Sequence, residues 1–515
     1  MGDEMSEDET SAPSPSLPKK RKVAEPERRW AKRDLVDEEK RRFVWVADTE
    51  ASHQDLSPLT LFELYFDDTV CRHLVQETLR YAAQKGNNDF KFSIADLKVF
   101  IGILIVSGYN CLPSMRMYWS ADSDLRNQAI CDVMSRIEFE KILRFFHLAN
   151  NDALTAGDKF SKVRPLFDFV NERCLKYFPR TQHLAIDESM VPYYGHHGTK
   201  QFIKGKPIRF GYKIWCCCTP EGYLVQLEPY QGAQVSINDE HKELGVGGGV
   251  VMRLISQLPL APYTVYTDNF FTSLKLAEAL LSKGIALTGT VRSNRVGKCP
   301  LESLDKTDRG SMDYRVETNV GVLIVRWNDN NVVTVLSTVD TVFPQKKVLR
   351  WSRKTKTHMH INQPRAITSY NSCMGGVDRL DQNVGSYRVT IRKKKWWWPL
   401  FRYLLDVSIQ NTWLLYRRSY ANTQRSMTQL QFRRELVLSL FRKYGNQREV
   451  ERIPRAARLC RSVPDCVRLD GLHHYQGGLE STRRCALPSC KKNTGKQCLK
   501  CGVPLHDKCS IYFHT

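Results

Sequence analysis

Three aspartates, each inside its own short motif, are the residues of this sequence whose type and placement could carry out chemistry. Asp187 lies in HLAIDESMVPYYG, Asp268 in YTVYTDNFFTS and Asp378 in CMGGVDRLDQ. The first two end apolar runs that are typical of β-strands, and the third follows a Gly-Gly turn. Carboxylates delivered from separate elements are what a pair of Mg²⁺ ions needs to activate water at a phosphodiester. The pattern therefore favours an enzyme that cuts DNA.

Each aspartate taken alone has a more ordinary explanation than a metal ion. A carboxylate at the end of an apolar strand needs a partner, which a lysine or backbone donors could also supply. The three together favour metal binding. Glu188 should point to the opposite face of the sheet from Asp187. Asp381 is three residues after Asp378 on the same predicted helical face, so it is a possible further acid that could assist or replace it.

A second candidate site is the Cys/His-rich end of the chain, where pairs spaced C-x4-C, C-x2-C and H-x2-C fit tetrahedral Zn²⁺. The candidate ligands in the last 31 residues are Cys485, Cys490, Cys498, Cys501, His506, Cys509 and His514. His473 would make eight, enough for two Zn²⁺, although the choice between His473 and His474 stays open. Cys460 or Cys466 could replace a weak ligand. Because little apolar sequence lies here, we expect folding to need the metal.

Net charge and cysteine usage limit the possible partners and compartments. The 515 residues carry a formal net charge of +22, which attracts polyanions such as DNA. The longest apolar run, Val99 to Val106, is far shorter than the roughly 20 residues of a spanning helix, so no membrane partner is expected. The first residues are acidic and polar, without a secretory signal. The 16 cysteines are therefore interpreted as thiols and metal ligands.

Composition divides the chain into segments. Residues 1–55 are predicted to be disordered, and Lys19, Lys20, Arg21 and Lys22 have the form of a nuclear-import signal, with a solvated charge run as the alternative. Residues 56–180 have helical periodicity, with Ser57 and Ser93 as caps, and are predicted to be a dimerisation and DNA-binding region, with a simple scaffold as the alternative. Residues 181–295 read as three strands, a helix, a strand, a helix and a strand. That order is typical of an α/β core of the RNase H-like class.

The remaining segments follow from alternation and charge. Residues 296–366 are predicted to be a small β-rich insertion, and 367–400 to resume the core with a helix that carries Asp378. Residues 401–470 are predicted to be a basic helical DNA-binding region and linker, and residues 471–515 to be the Cys/His zinc-binding domain. For the latter, DNA is the favoured partner, while a histone tail or a ubiquitin-transfer protein is an alternative.

Basic residues near the aspartates are candidates for phosphate contacts, with ordinary surface charge as the alternative. Trp396 to Trp398, which directly follow Lys395, could stack on bases, but burial is the commoner role of such residues. The candidates are Lys204, Lys206, Arg209 and Lys213 after the first aspartate, Arg292 and more weakly Arg295 after the fifth strand, and Arg388, Arg392, Lys393, Lys394 and Lys395 before a long helix.

From about residue 56 to its end, the chain resembles a piggyBac-type DNA transposase or a host protein derived from one. The resemblance rests on SPLTLFELYFDD, IDE, KGKPIRFGYK, TDNFFTS, TGTVRSNR, MGGVDRLDQ and the Cys/His tail. It implies a dimeric, Mg²⁺-dependent cut-and-paste enzyme that uses three aspartates, excises an element through hairpin ends and reinserts it at TTAA. By position these aspartates are Asp187, Asp268 and Asp378, with Asp381 as the further acid.

The resemblance also implies a cross-brace zinc module in the tail, from which this chain departs in its C-x4-C spacing and in His506. A nuclear DNA- or chromatin-binding relative without transposition is the second hypothesis. A protein whose zinc tail only binds a partner is the third. All three aspartates are present, and a pure binding protein has no need of them, so the enzyme is favoured.

Overall fold

The computed structural model describes residues 27–36, 45, 56–232, 239–304, 308–353, 355–420, 426–445, 463 and 465–515. The basic run Lys19 to Lys22 lies outside these ranges. Residues 27–36 belong to the segment predicted to be disordered, yet they include strand β1, Trp30–Ala31, which pairs with the strand Met312–Glu317. Asp34 fixes this segment further, because its carboxylate accepts hydrogen bonds from the backbone N–H groups of Val342 and Phe343.

The segment that follows is helical, as its periodicity predicts. The Ser57 hydroxyl accepts from the Thr60 N–H, and Ser93 forms a capping box with Asp96. The helices are α1 Pro58–Tyr65, α2 Asp68–Gln84, α3 Ile94–Val106, α4 Gln128–Val133, α5 Arg136–Phe145 and α6 Arg164–Lys176. Helix α3 is almost entirely buried, in keeping with its continuous apolar sequence.

A mixed sheet forms the centre of the protein, in the order β1-β8-β9-β10-β7-β6-β2-β4-β3, with β5 also paired to β4. Strands β2, β6 and β7 are parallel, and the other pairs are antiparallel. The strands are β2 His183–Pro192, β3 Gln201–Phe202, β4 Phe210–Cys218, β5 Leu224–Pro229, β6 Thr264–Thr267, β7 Ala286–Thr290, β8 Met312–Glu317, β9 Val322–Asn328 and β10 Val332–Ser337. The predicted insertion thus extends the central sheet through the β7–β10 pairing.

Six helices complete the core. They are α7 Gly245–Ser256, α8 Leu274–Leu281, α9 Arg365–Cys373, α10 Gly376–Ser386, α11 Trp398–Ser419 and α12 Gln429–Tyr444. Helix α11 runs through the interior, where Asp406 forms a fully buried ion pair with Arg433 of α12 at 2.9 Å. Trp397 and Trp398 are buried in the same core. Packing, the commoner of the two roles considered for the tryptophans, is the one observed for this pair.

Two small sheets lie outside the central one. A two-stranded ribbon consists of β11 Lys346–Ser352 and β12 Thr357–Gln363. The C-terminal domain contains α13 Asp465–Arg468, β13 Gln476–Arg484, β14 Asn493–Cys498, β15 Val503–Pro504 and α14 Asp507–His514. Across the described ranges, every helix is too short or too polar to traverse a lipid bilayer.

Candidate active site and metal clusters

The three aspartates come from three elements that meet at one edge of the central sheet. Asp187 lies in β2, and Asp268 directly follows β6. These strands are parallel, with Ala185 opposite Tyr266 and Ile186 opposite Thr267, so the next residue on each strand is an aspartate. Asp378 is in the first turn of α10, which packs against β2. The three motifs therefore converge.

Tyr370 of α9 lies beside all three carboxylates. Burial raises the pKa of its phenol to about 12, and Asp268, Asp187 and Asp378 each add to that rise. Its hydroxyl lies 3.4 Å from that of Thr290 at the end of β7. Sequence reasoning missed this residue, although it stands only eight positions before Asp378.

The three carboxylates do not all lie within 4.8 Å of one another, the spacing expected around one ion. A pair of ions is more permissive, because ions about 3.5–4 Å apart, each with oxygen ligands at about 2.1 Å, span up to about 8 Å. The arrangement therefore does not suit a site for one ion, whereas a two-ion site tolerates a wider spacing of the carboxylates.

Unbalanced negative charge characterises this edge of the sheet. Burial, the nearby Glu188 and Asp268 together raise the pKa of Asp187 to about 8. Burial also raises the pKa of Asp268, although the Phe270 N–H donates to its carboxylate. Because these pKa values are raised, the positive charge nearby, that of Lys206 included, is too little to stabilise the ionised carboxylates fully. A divalent cation would supply the remainder.

Glu188 binds two of the predicted DNA-contacting lysines. Its carboxylate lies 3.4 Å from the ammonium of Lys206 and 3.6 Å from that of Lys213. Lys213 also lies 3.9 Å from the ring centroid of Trp215 and is only 14% exposed. Lys213 therefore supports the site from within, whereas Lys206 is close enough to Asp187 and Asp378 for both to raise its pKa against the opposing effect of burial.

Asp381, the possible further acid, is held on the inner face of α10. It accepts a hydrogen bond of 2.5 Å from the Ser189 hydroxyl, which in turn accepts one from Tyr403 of α11 at 3.1 Å. Burial raises the pKa of Asp381 to about 6, and the Ser189 hydrogen bond opposes that rise. Asp378 on the same helix is exposed. The two acids therefore differ in access to a substrate.

Close packing fixes the start of α10. A Cβ atom on Gly376 would lie 2.4 Å from the Thr219 carbonyl oxygen and 3.2 Å from the Ala185 Cβ. Arg379 Nη1 donates to the Pro220 carbonyl at 2.6 Å. The helix that carries Asp378 and Asp381 is therefore seated directly on the β4–β5 turn and on β2, which explains the second glycine of the motif, Gly376.

Of the remaining residues predicted to contact DNA, two donate hydrogen bonds to backbone carbonyls within the protein and most of the others are exposed. Arg295 donates to the carbonyls of Phe270 and Thr272, so it holds the loop after Asp268. Lys395 donates to the carbonyls of Arg144 and Phe146, and burial lowers its pKa to about 8. The prediction that Lys395 contacts phosphate is not supported by this placement. Lys204, Arg209, Arg292, Arg392, Lys393 and Lys394 are exposed, while Arg388 is partly buried near Asp381.

The C-terminal domain contains two groups of four residues whose ligand atoms lie within 4.8 Å of one another and could each hold a metal ion. They are His474, Cys498, Cys501 and His514, and Cys485, Cys490, His506 and Cys509. The eighth ligand is thus His474, the alternative that the sequence left open, and not His473. His473 is exposed, adopts a positive φ of 60° and belongs to neither group. The two groups alternate along the chain, so their ligands interleave.

The distances within these groups suit tetrahedral zinc. His474 Nδ1 lies 3.5 Å from the sulfur atoms of both Cys498 and Cys501. His506 Nδ1 lies 3.6 Å from that of Cys509. Tetrahedral Zn²⁺ with Zn–S of about 2.3 Å and Zn–N of about 2.05 Å places such atoms about 3.6 Å apart.

The other ring nitrogen of each histidine has a partner that fixes the ligating nitrogen. His474 Nε2 lies 2.9 Å from the Asp470 carboxylate, and His506 Nε2 lies 3.1 Å from the Asn493 carbonyl. His514 Nδ1 lies 2.9 Å from the Arg468 carbonyl, and its buried Nε2 has no hydrogen-bond partner among the described residues. Zinc-binding histidines are commonly oriented in this way.

Comparison with known proteins gives matches over most of the chain. A family model described as Transposase IS4 matches residues 57–413. The human PiggyBac transposable element-derived protein 3 is 38% identical over 509 residues, which cover 98% of this chain and 83% of that protein. The human PiggyBac transposable element-derived protein 2 is 36% identical over 510 residues, which cover 97% and 83%.

A solved structure has the same fold. The cryo-EM structure of a piggyBac transposase synaptic complex with hairpin DNA superposes with a TM-score of 0.64 at 20% sequence identity, covering 88% of this chain and 98% of that one. The family model spans well over half of the chain, and the two human relatives match nearly all of it. The chain therefore belongs to the piggyBac transposase family.

Proposed function

We propose that this protein is a DNA transposase whose RNase H-like core cuts and rejoins DNA with Asp187, Asp268 and Asp378. The strand order β5-β4-β2-β6-β7, with β2, β6 and β7 parallel, supports this assignment of the core. The observation that carries the proposal is the register that sets Asp187 beside Asp268, under the helix that bears Asp378.

The residues present fit divalent cations. Asp187 and Asp268 are partly buried carboxyl groups with raised pKa values, and Asp378 adds an exposed third carboxylate. These three side chains would hold two Mg²⁺, with Asp381 as a further acid. The chemistry that Mg²⁺ supplies at such a site is activation of the attacking water or 3′-hydroxyl and stabilisation of the departing oxygen.

The surrounding residues position the substrate and the acids. Lys206, next to Asp187 and Asp378, can turn from Glu188 to a phosphate of the cut strand. Lys213 keeps Glu188 on the Trp215 side and thereby keeps its carboxylate from competing for the cation. Exposed Lys204, Arg209 and Arg292 bind the flanking phosphates.

We propose that the C-terminal domain binds two Zn²⁺ and recognises the ends of the element. Its interleaved ligand groups and oriented histidines support a cross-brace zinc module. Nuclear localisation through Lys19 to Lys22, insertion at TTAA and a homodimer complete the proposal. The relative solved as a synaptic complex with hairpin DNA supports the DNA partner.

An excision assay tests the proposal. Cells receive a donor whose marker is interrupted by an element with the terminal repeats that flank the gene in its genome. The wild-type protein should restore the marker, and Asp268→Asn, which keeps the side-chain shape but removes the charge, should not. Equal excision by both proteins would remove Asp268 from the site.

The alternative is a nuclear DNA- or chromatin-binding protein that no longer mobilises DNA. The names of the two human relatives describe proteins derived from a transposable element, which favours keeping it. In that case neither protein excises the donor, yet both bind the same DNA with equal affinity in a gel-shift assay.

A further inference from the structure

The ribbon formed by β11 and β12 is a strongly basic feature that the proposed function leaves unused. Between residues 346 and 363 the sequence contains six lysines and arginines and neither aspartate nor glutamate. The strands pair in register from Lys346 opposite Gln363 to Ser352 opposite Thr357. Because paired residues share a face, the ribbon has two distinct surfaces.

One surface packs on the rest of the protein. Ile361 is buried and Val348 partly buried against the core formed with β8–β10. Arg350 donates to Asp329 at 3.0 Å, and Arg309 donates to the Trp351 carbonyl at 2.9 Å. The ribbon is therefore held in place from this side.

The other surface is open to solvent. It presents Lys347, Leu349 and Trp351 from β11, and His358, His360 and Asn362 from β12, all of them exposed. Trp351 is 51% and Leu349 52% exposed, and the Trp351 ring lies edge-on to His358 at 5.1 Å. Arg353 and Lys356, also exposed, lie where the strands join.

We propose that this open face of the ribbon binds duplex DNA, with Lys347, Arg353 and Lys356 on phosphates and Trp351 against the groove wall. A two-stranded ribbon fits the major groove, which is about 12 Å wide. Seven residues per strand, at about 3.4 Å each, reach along about 24 Å, or roughly seven base pairs. The absence of acidic residues from 346–363 matches a polyanion. The identification of that polyanion as DNA rests on the proposed function.

Salt dependence of binding tests the proposal on the full-length protein in an Asp268→Asn background, so that no cutting is needed. Fluorescence anisotropy measures affinity for a labelled random-sequence duplex between about 50 and 200 mM NaCl. Each phosphate contact contributes about 0.9 to the slope of log K against log salt. The triple variant Lys347→Gln, Arg353→Gln, Lys356→Gln should lower the slope by about 2.7, and Trp351→Ala should weaken binding several-fold at an unchanged slope.

Lys347→Gln and Lys283→Gln form a matched pair. Both replace an exposed lysine. Lys283 lies just after α8, outside the ribbon, so it serves as the control. Only Lys347→Gln should reduce the slope. Wild-type affinity and slope in the triple variant would overturn the proposal. The proposal would also be overturned if the triple variant lost binding to phosphatidylserine vesicles but not to DNA, or if it changed its oligomeric mass without losing DNA affinity. An inactive wild-type enzyme would contradict the proposed function but leave this binding result standing.

Discussion

Replacement of Gly376 by alanine should impair DNA cleavage far more than folding. The new Cβ would lie 2.4 Å from the Thr219 carbonyl oxygen, whereas carbon and oxygen atoms normally approach to about 3.3 Å. Since the obstacle is the backbone of the buried Thr219, the start of α10 must move by roughly 0.9 Å. Asp378, two residues further along, moves with it.

The expected magnitude follows from that displacement. A shift of about 1 Å in a catalytic group can cost about 100-fold in rate, which corresponds to about 2.7 kcal/mol of activation free energy. Folding should lose less, because overpacking costs about 1–3 kcal/mol while glycine-to-alanine exchange in a helix returns about 0.5–1 kcal/mol. Cleavage and stability therefore respond unequally.

The neighbouring glycine provides the control. A Cβ on Gly375 meets no atom within 4 Å, so Gly375→Ala changes the same motif without moving the helix. Single-turnover cleavage of an element end should fall about 100-fold for Gly376→Ala and stay near wild type for Gly375→Ala. Gel shifts should give equal DNA affinity for all three proteins. Wild-type cleavage by Gly376→Ala would refute the claim that this contact positions Asp378.

Three further predictions concern charge and metal. The raised pKa of Asp187, about 8, means that its ionisation opposes folding without divalent cations, so stability falls as pH rises from about 4 to about 8. In EDTA, Asp187→Asn should melt above wild type at about pH 8 but not at about pH 4; equal melting at both would exclude the charge imbalance. His474→Ala should reduce bound zinc from about two ions per chain to about one, by mass spectrometry, while His473→Ala keeps both; zinc loss in His473→Ala would reverse the ligand assignment. Lys395→Ala should lower the melting temperature and leave DNA affinity unchanged, whereas Lys394→Ala, at an exposed position, should weaken DNA binding and leave the melting temperature unchanged. Weakened DNA binding by Lys395→Ala would show that Lys395 belongs to the DNA-binding surface after all.

Local sequence patterns predict the elements that carry the aspartates. Apolar runs before Asp187 and Asp268 indicate two strands, and parallel strands bring their ends to one edge. The Gly-Gly pair before Asp378 predicts a turn, and the structure has a turn there, directly before α10 begins. The capping signals at Ser57 and Ser93 likewise concern interactions within four residues. Interactions of such short range can be predicted from a single sequence.

Contacts between segments that are distant in the sequence cannot be predicted from local patterns. Glu188 meets Lys213 only because of the β2–β4 register, and Lys395 is sequestered by carbonyls some 250 positions earlier in the chain. The choice of His474 over its neighbour depends on which ring reaches Cys498 and Cys501, more than 20 residues further along the chain. The β11–β12 ribbon lacks a clear alternation of polar and apolar residues, since Leu349 and Trp351 occupy its open face.

The metal preference of a cysteine variant tests the central claim most directly. If Asp268 binds the cation during strand cleavage, Asp268→Cys replaces a hard oxygen ligand by a soft sulfur ligand, which disfavours Mg²⁺ more than Mn²⁺. Purified Asp268→Cys should fail to cut an element end in Mg²⁺ and should regain cutting in Mn²⁺. Cutting at the wild-type rate in Mg²⁺ would contradict a site built on this carboxylate.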